Sequence, residues 1–202
     1  MRRSLRVLRH TAVSAAFVTA ALSPLVLAPA VMAEPARSAP STETVDLDRY
    51  AGTWLQLAAV PRLFEIQCAK NVSAVYGTTA RGTVAVRNSC TTWLGTRSGI
   101  DGEALPLDAG GARFNVSFLR SGDGYRHGAE ANYVVVGLGA AYEWAVVTDE
   151  DRRSGFLLSR GPRLDATRTA QAVDAIRRAG LDPRDFHVTR QDGGDPAWRL
   201  VP

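Results

Sequence analysis

Short runs of alternating apolar and polar residues, separated by turn residues, cover most of the chain. The first run places Trp54, Gln56, Ala58 and Val60 on one face of a strand, and Pro61 ends it. Seven similar runs follow, with clusters of Gly, Asp or Ser between them. The pattern therefore predicts eight strands, over 54–60, 71–79, 83–91, 99–105, 113–119, 132–137, 142–147 and 155–160.

After the eighth predicted strand, the spacing of apolar residues changes from every second residue to the spacing of a helix. Asp165 is a suitable N-cap, small and apolar residues then recur at helical spacing, and Gly180 is a suitable end. These signals predict one helix over about 165–179, whose Ala-rich stripe suits close packing on a flat surface. A last short strand is predicted over 186–190.

Eight successive strands and one helix predict an all-β fold, an eight-stranded antiparallel up-and-down barrel with the C-terminal helix packed on its side. Barrels of this strand number have room for side chains or one small ligand. The alternation of turns places Trp54 and Arg160 at the same end of the barrel, and the longer loops at the other. We expect Gly52, Trp54 and Arg160 to form a structural closure, with the indole beneath the guanidinium.

The N-terminal residues are typical of an export signal. Four arginines precede an apolar stretch, which Pro24 and Pro29 interrupt and which ends in small residues near Ala33. The interruptions disfavour the alternative, a transmembrane anchor. No cysteine follows that could carry a lipid, so we expect a secreted protein without a stable membrane anchor. The predicted organisation is a signal peptide (1–33), a flexible leader (34–44), the barrel domain (45–190) and a loose C-terminal tail (191–202).

The charge of the chain depends on this signal. The net charge of +4 equals the contribution of the four arginines that the signal would remove, so the remaining chain is balanced. The overall charge therefore gives no reason to propose a nucleic acid or an anionic membrane as partner. The two cysteines, Cys68 and Cys90, are both expected at the end with the longer loops. In an exported chain they are expected to form a disulfide, the alternative being two free thiols. We expect no metal site and no cofactor.

Three stretches resemble the lipocalin family, closest to the branch of bacterial lipocalin and apolipoprotein D. They are Gly-Thr-Trp at 52–54, Arg-Phe-Asn-Val-Ser-Phe at 113–118, and Leu-Leu-Ser-Arg-Gly-Pro at 157–162. The resemblance implies carriage of a small hydrophobic molecule, such as a fatty acid, a lysophospholipid or a similar lipid, in the barrel. One departure is the turn before Tyr142, where the family often has an aspartate and this chain has alanines.

Candidate ligand-binding residues follow from the side of each strand on which they lie. The expected wall comprises Ala58, Val60, Phe114, Val116, Phe118, Phe156 and Leu158, and the expected rim comprises Phe64, Trp93 and Tyr125. A carboxylate head group would seek Lys70, Arg97, Arg120 or Arg126 near the mouth.

Two other function classes stay open. A secreted protein-interaction or inhibitory module would use the loops of the open end. An enzyme is disfavoured, because His127 lies on a Gly-rich loop, His187 follows the helix, and no catalytic set is brought together by the topology. The sequence predicts no enzyme and leaves a monomer and a dimer equally possible.

Overall fold

The computed structural model describes residues 44–201, and eight of the strands in this range form a closed barrel. The helices are α1 (Leu47–Tyr50) and α2 (Ala166–Arg178), with 3-10 turns at Leu63–Glu65 and Pro183–Asp185. The strands are β1 (Gly52–Ala59), β2 (Cys68–Thr78), β3 (Val84–Thr92), β4 (Arg97–Pro106), β5 (Arg113–Ser117), β6 (Arg120–Ser121), β7 (Gly124–Tyr125), β8 (Tyr133–Leu138), β9 (Trp144–Thr148), β10 (Gly155–Ser159) and β11 (His187–Val188).

The barrel wall runs in the order β1, β2, β3, β4, β5, β8, β9 and β10, and β10 pairs back to β1. All neighbouring pairs in this wall are antiparallel. The predicted eight-stranded up-and-down barrel is therefore confirmed. Strands β6 and β7 form a separate two-stranded ribbon inside the long loop between β5 and β8.

Helix α2 packs on the outside of β8 and β9. The Asp165 side chain caps it by accepting a hydrogen bond from the Arg168 backbone N–H at 2.8 Å. Its buried face consists of Ala172, Val173, Ala175 and Ile176. A Cβ on Gly137 of β8 would lie 2.6 Å from the Ala175 Cβ, so glycine at this position allows the close packing.

Strand β1 contains a bulge that the alternation of residues does not reveal. Gln56 pairs with Leu158 of β10, but Ala58 pairs with Leu157, so one residue of β1 is inserted between them. Because side chains alternate with a period of two, one inserted residue reverses which side of the sheet the following residues face.

The C-terminal segment packs against the barrel. Strand β11 pairs with Ala58 and Ala59 of β1, and the Gln191 amide donates to the Gln56 carbonyl at 2.8 Å. Leu200 is buried in the cluster between α2 and the barrel, and Trp198 packs beside it. The segment expected to be a loose tail is thus packed as far as Val201.

The expected signal peptide and most of the expected leader lie outside the described residues. Within 44–201, no helix is both long enough and apolar enough to cross a membrane.

The predicted disulfide is confirmed, since Cys68 of β2 and Cys90 of β3 are bonded with a Cα–Cα distance of 5.6 Å. The bond joins the first residue of β2 to the end of β3, at the end of the barrel with the longer loops.

Replacing both cysteines with alanine is expected to lower the free energy of unfolding by about 3 kcal/mol. The sequence separation is 22 residues, and the bond restricts the unfolded chain by closing that loop. Urea denaturation of the variant and of reduced wild type measures the effect, and the two should agree. Two reactive thiols in unfolded, unreduced protein would contradict the disulfide.

Candidate functional site

The closed end of the barrel is built around Trp54. Its side chain is completely buried, and its indole N–H donates to the Tyr50 carbonyl at 2.7 Å. The Arg160 guanidinium carbon lies 3.9 Å from the ring centroid, in cation–π geometry. The buried indole therefore has both a hydrogen-bond partner and a cation stacked on its face.

Arg160 also ties the closed end together through backbone carbonyls. Its guanidinium donates to the carbonyls of Thr53 at 2.9 Å, Arg49 at 2.8 Å, Tyr50 at 3.1 Å and Tyr142 at 3.3 Å. Partial burial lowers the pKa of Arg160, but a guanidinium stays protonated at any physiological pH.

Gly52 allows the chain to enter β1 beside this guanidinium. Its φ is +93°, in a region that other residues rarely adopt, and a Cβ would lie 3.4 Å from an Arg160 nitrogen. The structure thus brings together Gly52, Trp54 and Arg160, as the closure requires.

Tyr142, in the turn before β9 where this chain lacks the aspartate, contacts α1 and the residue before it. Its hydroxyl accepts a hydrogen bond from the Asp46 backbone N–H at 2.9 Å. The Arg49 guanidinium lies 4.0 Å from the centre of its ring and also donates to the Ala140 carbonyl. The turn is therefore connected to α1 directly, through an aromatic hydroxyl and an arginine.

Three tyrosines form a layer inside the barrel, next to Trp54. The hydroxyls of Tyr50 and Tyr133 are 2.8 Å apart, and the Tyr76 ring packs edge-on against the Tyr133 ring with centroids 5.9 Å apart. Burial raises the pKa of Tyr76 to about 12 and also raises the pKa values of Tyr50 and Tyr133. The alternation of apolar and polar residues does not reveal this layer by itself, because the inward positions of Tyr76 and Tyr133 follow only once the strand register is known.

The lower half of the barrel is filled by side chains. Val84, Val86, Ala104 and Phe114 form a buried cluster beside the tyrosines. The cavity that remains among these residues has a volume of about 20 Å³, which is room for roughly one water molecule. The side chains of the lower half therefore close the barrel interior from below and form its floor.

The upper half of the interior is only partly covered. Ile100 lies on the same face of β4 as the buried Ala104, yet half of its surface is exposed. Val116, Phe118 and Phe156 are also only partly buried. The Phe118 ring lies over Gly102, where a Cβ would come within 2.6 Å of it. Apolar side chains on the inner face are thus left incompletely covered toward the end with the longer loops.

Gln56 of β1 makes hydrogen bonds to two polar side chains outside this strand, those of Thr189 and Glu65. The Gln56 amide donates to the Thr189 hydroxyl at 3.0 Å and to the Glu65 carboxylate at 3.4 Å. Burial raises the pKa of Glu65, and the Gln56 hydrogen bond partly opposes this shift. These contacts connect β1, the loop after it and the segment after β11.

The structure places most of the predicted wall residues inside the barrel but two of them outside it. Phe114, Val116 and Phe118 pack in one interior cluster, and Phe156 and Leu158 pack in the other. Ala58 and Val60 instead belong to the cluster between the barrel and α2, so their predicted inward face is wrong. The bulge in β1 is the reason, and Ala59, which pairs with Phe156, takes the inward position.

The predicted rim residues are spread over several loops. Phe64 and Trp93 are exposed at the open end. Tyr125 lies in the β6–β7 ribbon, with the Arg120 guanidinium 4.9 Å from its ring centre. Lys70 pairs with Asp192 at 2.7 Å, Arg97 donates to the Ser89 hydroxyl at 3.2 Å, and the backbone N–H of Arg126 donates to the Leu119 carbonyl. The four cations do not form one common site.

A family model described as a lipocalin-like domain matches residues 45–191, which is most of the chain and the whole barrel. The chain belongs to the lipocalin family. Its place in the branch of bacterial lipocalin and apolipoprotein D stays a prediction.

Individual relatives agree with this lipocalin assignment. Temperature-induced lipocalin-1 of Arabidopsis thaliana is 26% identical over 161 residues, which cover 78% of this chain and 86% of the relative. Two solved structures share the fold at lower identity. The major allergen Per a 4 from cockroaches has a TM-score of 0.58 at 17% identity, covering 77% of this chain and 96% of its own. The tryptamine complex of the amine-binding protein of Rhodnius prolixus has a TM-score of 0.56 at 14% identity, covering 75% and 84%.

No group of three or more His, Cys, Asp or Glu side chains within residues 44–201 is arranged to hold a metal ion.

Proposed function

We propose that this lipocalin binds a small apolar molecule in the upper half of its barrel. One observation carries the proposal: the apolar inner residues Ile100, Phe118 and Phe156 stay partly exposed above a floor that is filled. An apolar ligand that covers them would gain about 25 cal/mol for each Å² removed from water. Membership of the lipocalin family supports the same function.

The finer proposal is a lipid with a single alkyl chain, such as a fatty acid or a lysophospholipid. Only the tail of such a molecule needs burial, and the partly covered wall residues are apolar. Its charged head can stay hydrated at the open end, where no buried partner is required. The ligand of the Rhodnius prolixus protein, tryptamine, likewise combines an apolar body with a charged group.

Ile100→Glu is expected to weaken binding of the neutral fluorophore N-phenyl-1-naphthylamine by about tenfold or more, because it puts a carboxylate against the bound probe. The matched control is Val75→Glu. Val75 is 41% exposed and Ile100 50% exposed, both on strands, but Val75 faces outward. Fluorescence titration of the chain from Glu34 to Pro202, which contains every described strand and helix, measures both.

Equal affinity of the two variants would contradict binding inside the barrel. Displacement of the probe by a long-chain fatty acid or a lysophospholipid tests the lipid class, and so does extraction of the purified protein followed by lipid analysis. A protein that takes up neither probe nor lipid would favour the protein-interaction module.

We also propose that the protein is exported and binds its ligand without chemical conversion. The disulfide is compatible with an oxidising compartment. The intact mass of the protein recovered from the medium should correspond to a chain that begins at Glu34. A mass that retains residues 1–33 would contradict cleavage.

A further inference from the structure

The open end of the barrel carries an unusual group of exposed apolar side chains. We call these residues the apolar tip. They lie on the loop after β1 and on the turn between β3 and β4, and between 64% and 89% of each is exposed: Leu63, Phe64, Ile66, Trp93 and Leu94. Single exposed apolar residues are common on soluble proteins, but a contiguous group of large ones marks an interaction site.

The two loops of the apolar tip are fixed to one another. The disulfide joins Cys68 and Cys90 directly behind them, and the Trp93 backbone N–H donates to the Gln67 carbonyl at 3.3 Å. The Trp93 indole N–H donates to the Ile66 carbonyl at 2.8 Å. Trp93 can therefore leave water without losing its hydrogen bond, which removes the main polar cost of burying a tryptophan.

Two arginines lie beside the apolar tip, and an acidic run, Asp149, Glu150 and Asp151, lies on the loop after β9 at the same end of the barrel. Arg62 and Arg97 flank it, and within residues 44–201 neither pairs with a carboxylate: Arg62 donates to the Arg153 carbonyl and Arg97 to the Ser89 hydroxyl. The one acidic residue of the two loops, Glu65, is partly buried and hydrogen-bonded to Gln56. The two arginines thus favour an anionic partner next to the tip itself, although the charge of the whole chain gave no such indication.

We propose that the apolar tip inserts into the surface of a phospholipid bilayer that contains anionic lipids. Its shape favours lipid over a protein partner, because protruding side chains enter a fluid bilayer without a matching groove. Apolar insertion and electrostatic attraction of arginines to anionic head groups both strengthen such binding. This docking goes beyond ligand binding in the barrel and is tested independently of it.

The test is co-sedimentation of the chain from Glu34 to Pro202 with vesicles of phosphatidylcholine and phosphatidylglycerol. Phe64→Ser with Leu94→Ser is expected to lower the vesicle partition coefficient by about tenfold or more, because two inserted side chains are lost. The control Val75→Ser, on the outer wall, should leave it unchanged. Arg62→Gln with Arg97→Gln should weaken binding to the mixed vesicles but not to pure phosphatidylcholine.

Tryptophan fluorescence provides a second readout. Trp54 and Trp144 are buried already, and Trp198 packs beside α2, so a blue shift and loss of quenching by iodide on vesicle addition would report Trp93. The proposal is overturned by a wild-type protein that stays in the supernatant, or by a tip variant that sediments like wild type. Shielding of Trp93 in a dimer without vesicles would also overturn it and assign the apolar tip to a second copy.

Discussion

Trp54→Ala is expected to lower the free energy of unfolding by about 3–5 kcal/mol, the range for removing a large aromatic side chain from a core. Trp54 is fully buried, and the substitution removes its contact with Tyr50 and the stacking of Arg160. The Tyr50 carbonyl also loses the indole donor, although Arg160 still donates to it. A cavity at the floor of a closed barrel cannot collapse easily, because eight paired strands hold the wall.

The matched control for this substitution is Trp93→Ala. Trp93 is 73% exposed, so its removal should change the stability by less than about 1 kcal/mol. Urea denaturation followed by far-ultraviolet circular dichroism measures both variants. A cost below about 1 kcal/mol for Trp54→Ala would contradict its role as the structural closure.

The free energy of unfolding is expected to fall steeply above pH 10, because Tyr50, Tyr76 and Tyr133 of the inner layer keep their protons in the folded protein. The pKa of Tyr76 is raised to about 12, and burial also raises those of Tyr50 and Tyr133. An unfolded tyrosine has a pKa of about 10, so above that pH the unfolded chain binds fewer protons than the folded one. Stability is then lost at up to about 1.4 kcal/mol per pH unit for each tyrosine. Below pH 10 these tyrosines are protonated in both the folded and the unfolded chain, so they do not change how stability depends on pH.

Tyrosinate absorbance and circular dichroism, recorded across the same alkaline titration, test this prediction. The three tyrosines of the inner layer should ionise only together with loss of the fold. The control is Tyr133→Phe, which removes one ionisable group and should reduce the steepness, while also removing the hydrogen bond to Tyr50. Ionisation of all tyrosines in protein that is still folded would show that the layer is open to water.

The closed and open ends of the barrel differ in how much of their side-chain surface is covered. At the closed end, Arg160 donates hydrogen bonds to four backbone carbonyls and Trp54 is fully buried. At the open end, Ile100 is half exposed inside the barrel and Leu94 is 89% exposed outside it. The closed end therefore contributes the tightly packed closure around Trp54, and both proposed binding surfaces lie at the open end.

The amino-acid sequence by itself determined the strand order, the barrel with its side-packed helix, the disulfide and the meeting of Trp54 with Arg160. These features depend on local alternation, on turn residues and on the rule that successive antiparallel strands reverse direction. These signals can be read from the sequence without knowing which residues are in contact.

Only the tertiary structure decided which way the upper part of β1 faces, how far the barrel is filled and where the C-terminal segment lies. The bulge beside Leu57 depends on pairing with β10 and β11, a hundred residues away in the chain, and it turned Ala58 and Val60 outward. The tyrosine layer likewise needs α1 and two distant strands, β2 and β8, to be brought together. Strand register and packing density are set by long-range contacts that compete with one another. The local pattern of apolar and polar residues does not determine which of these contacts form.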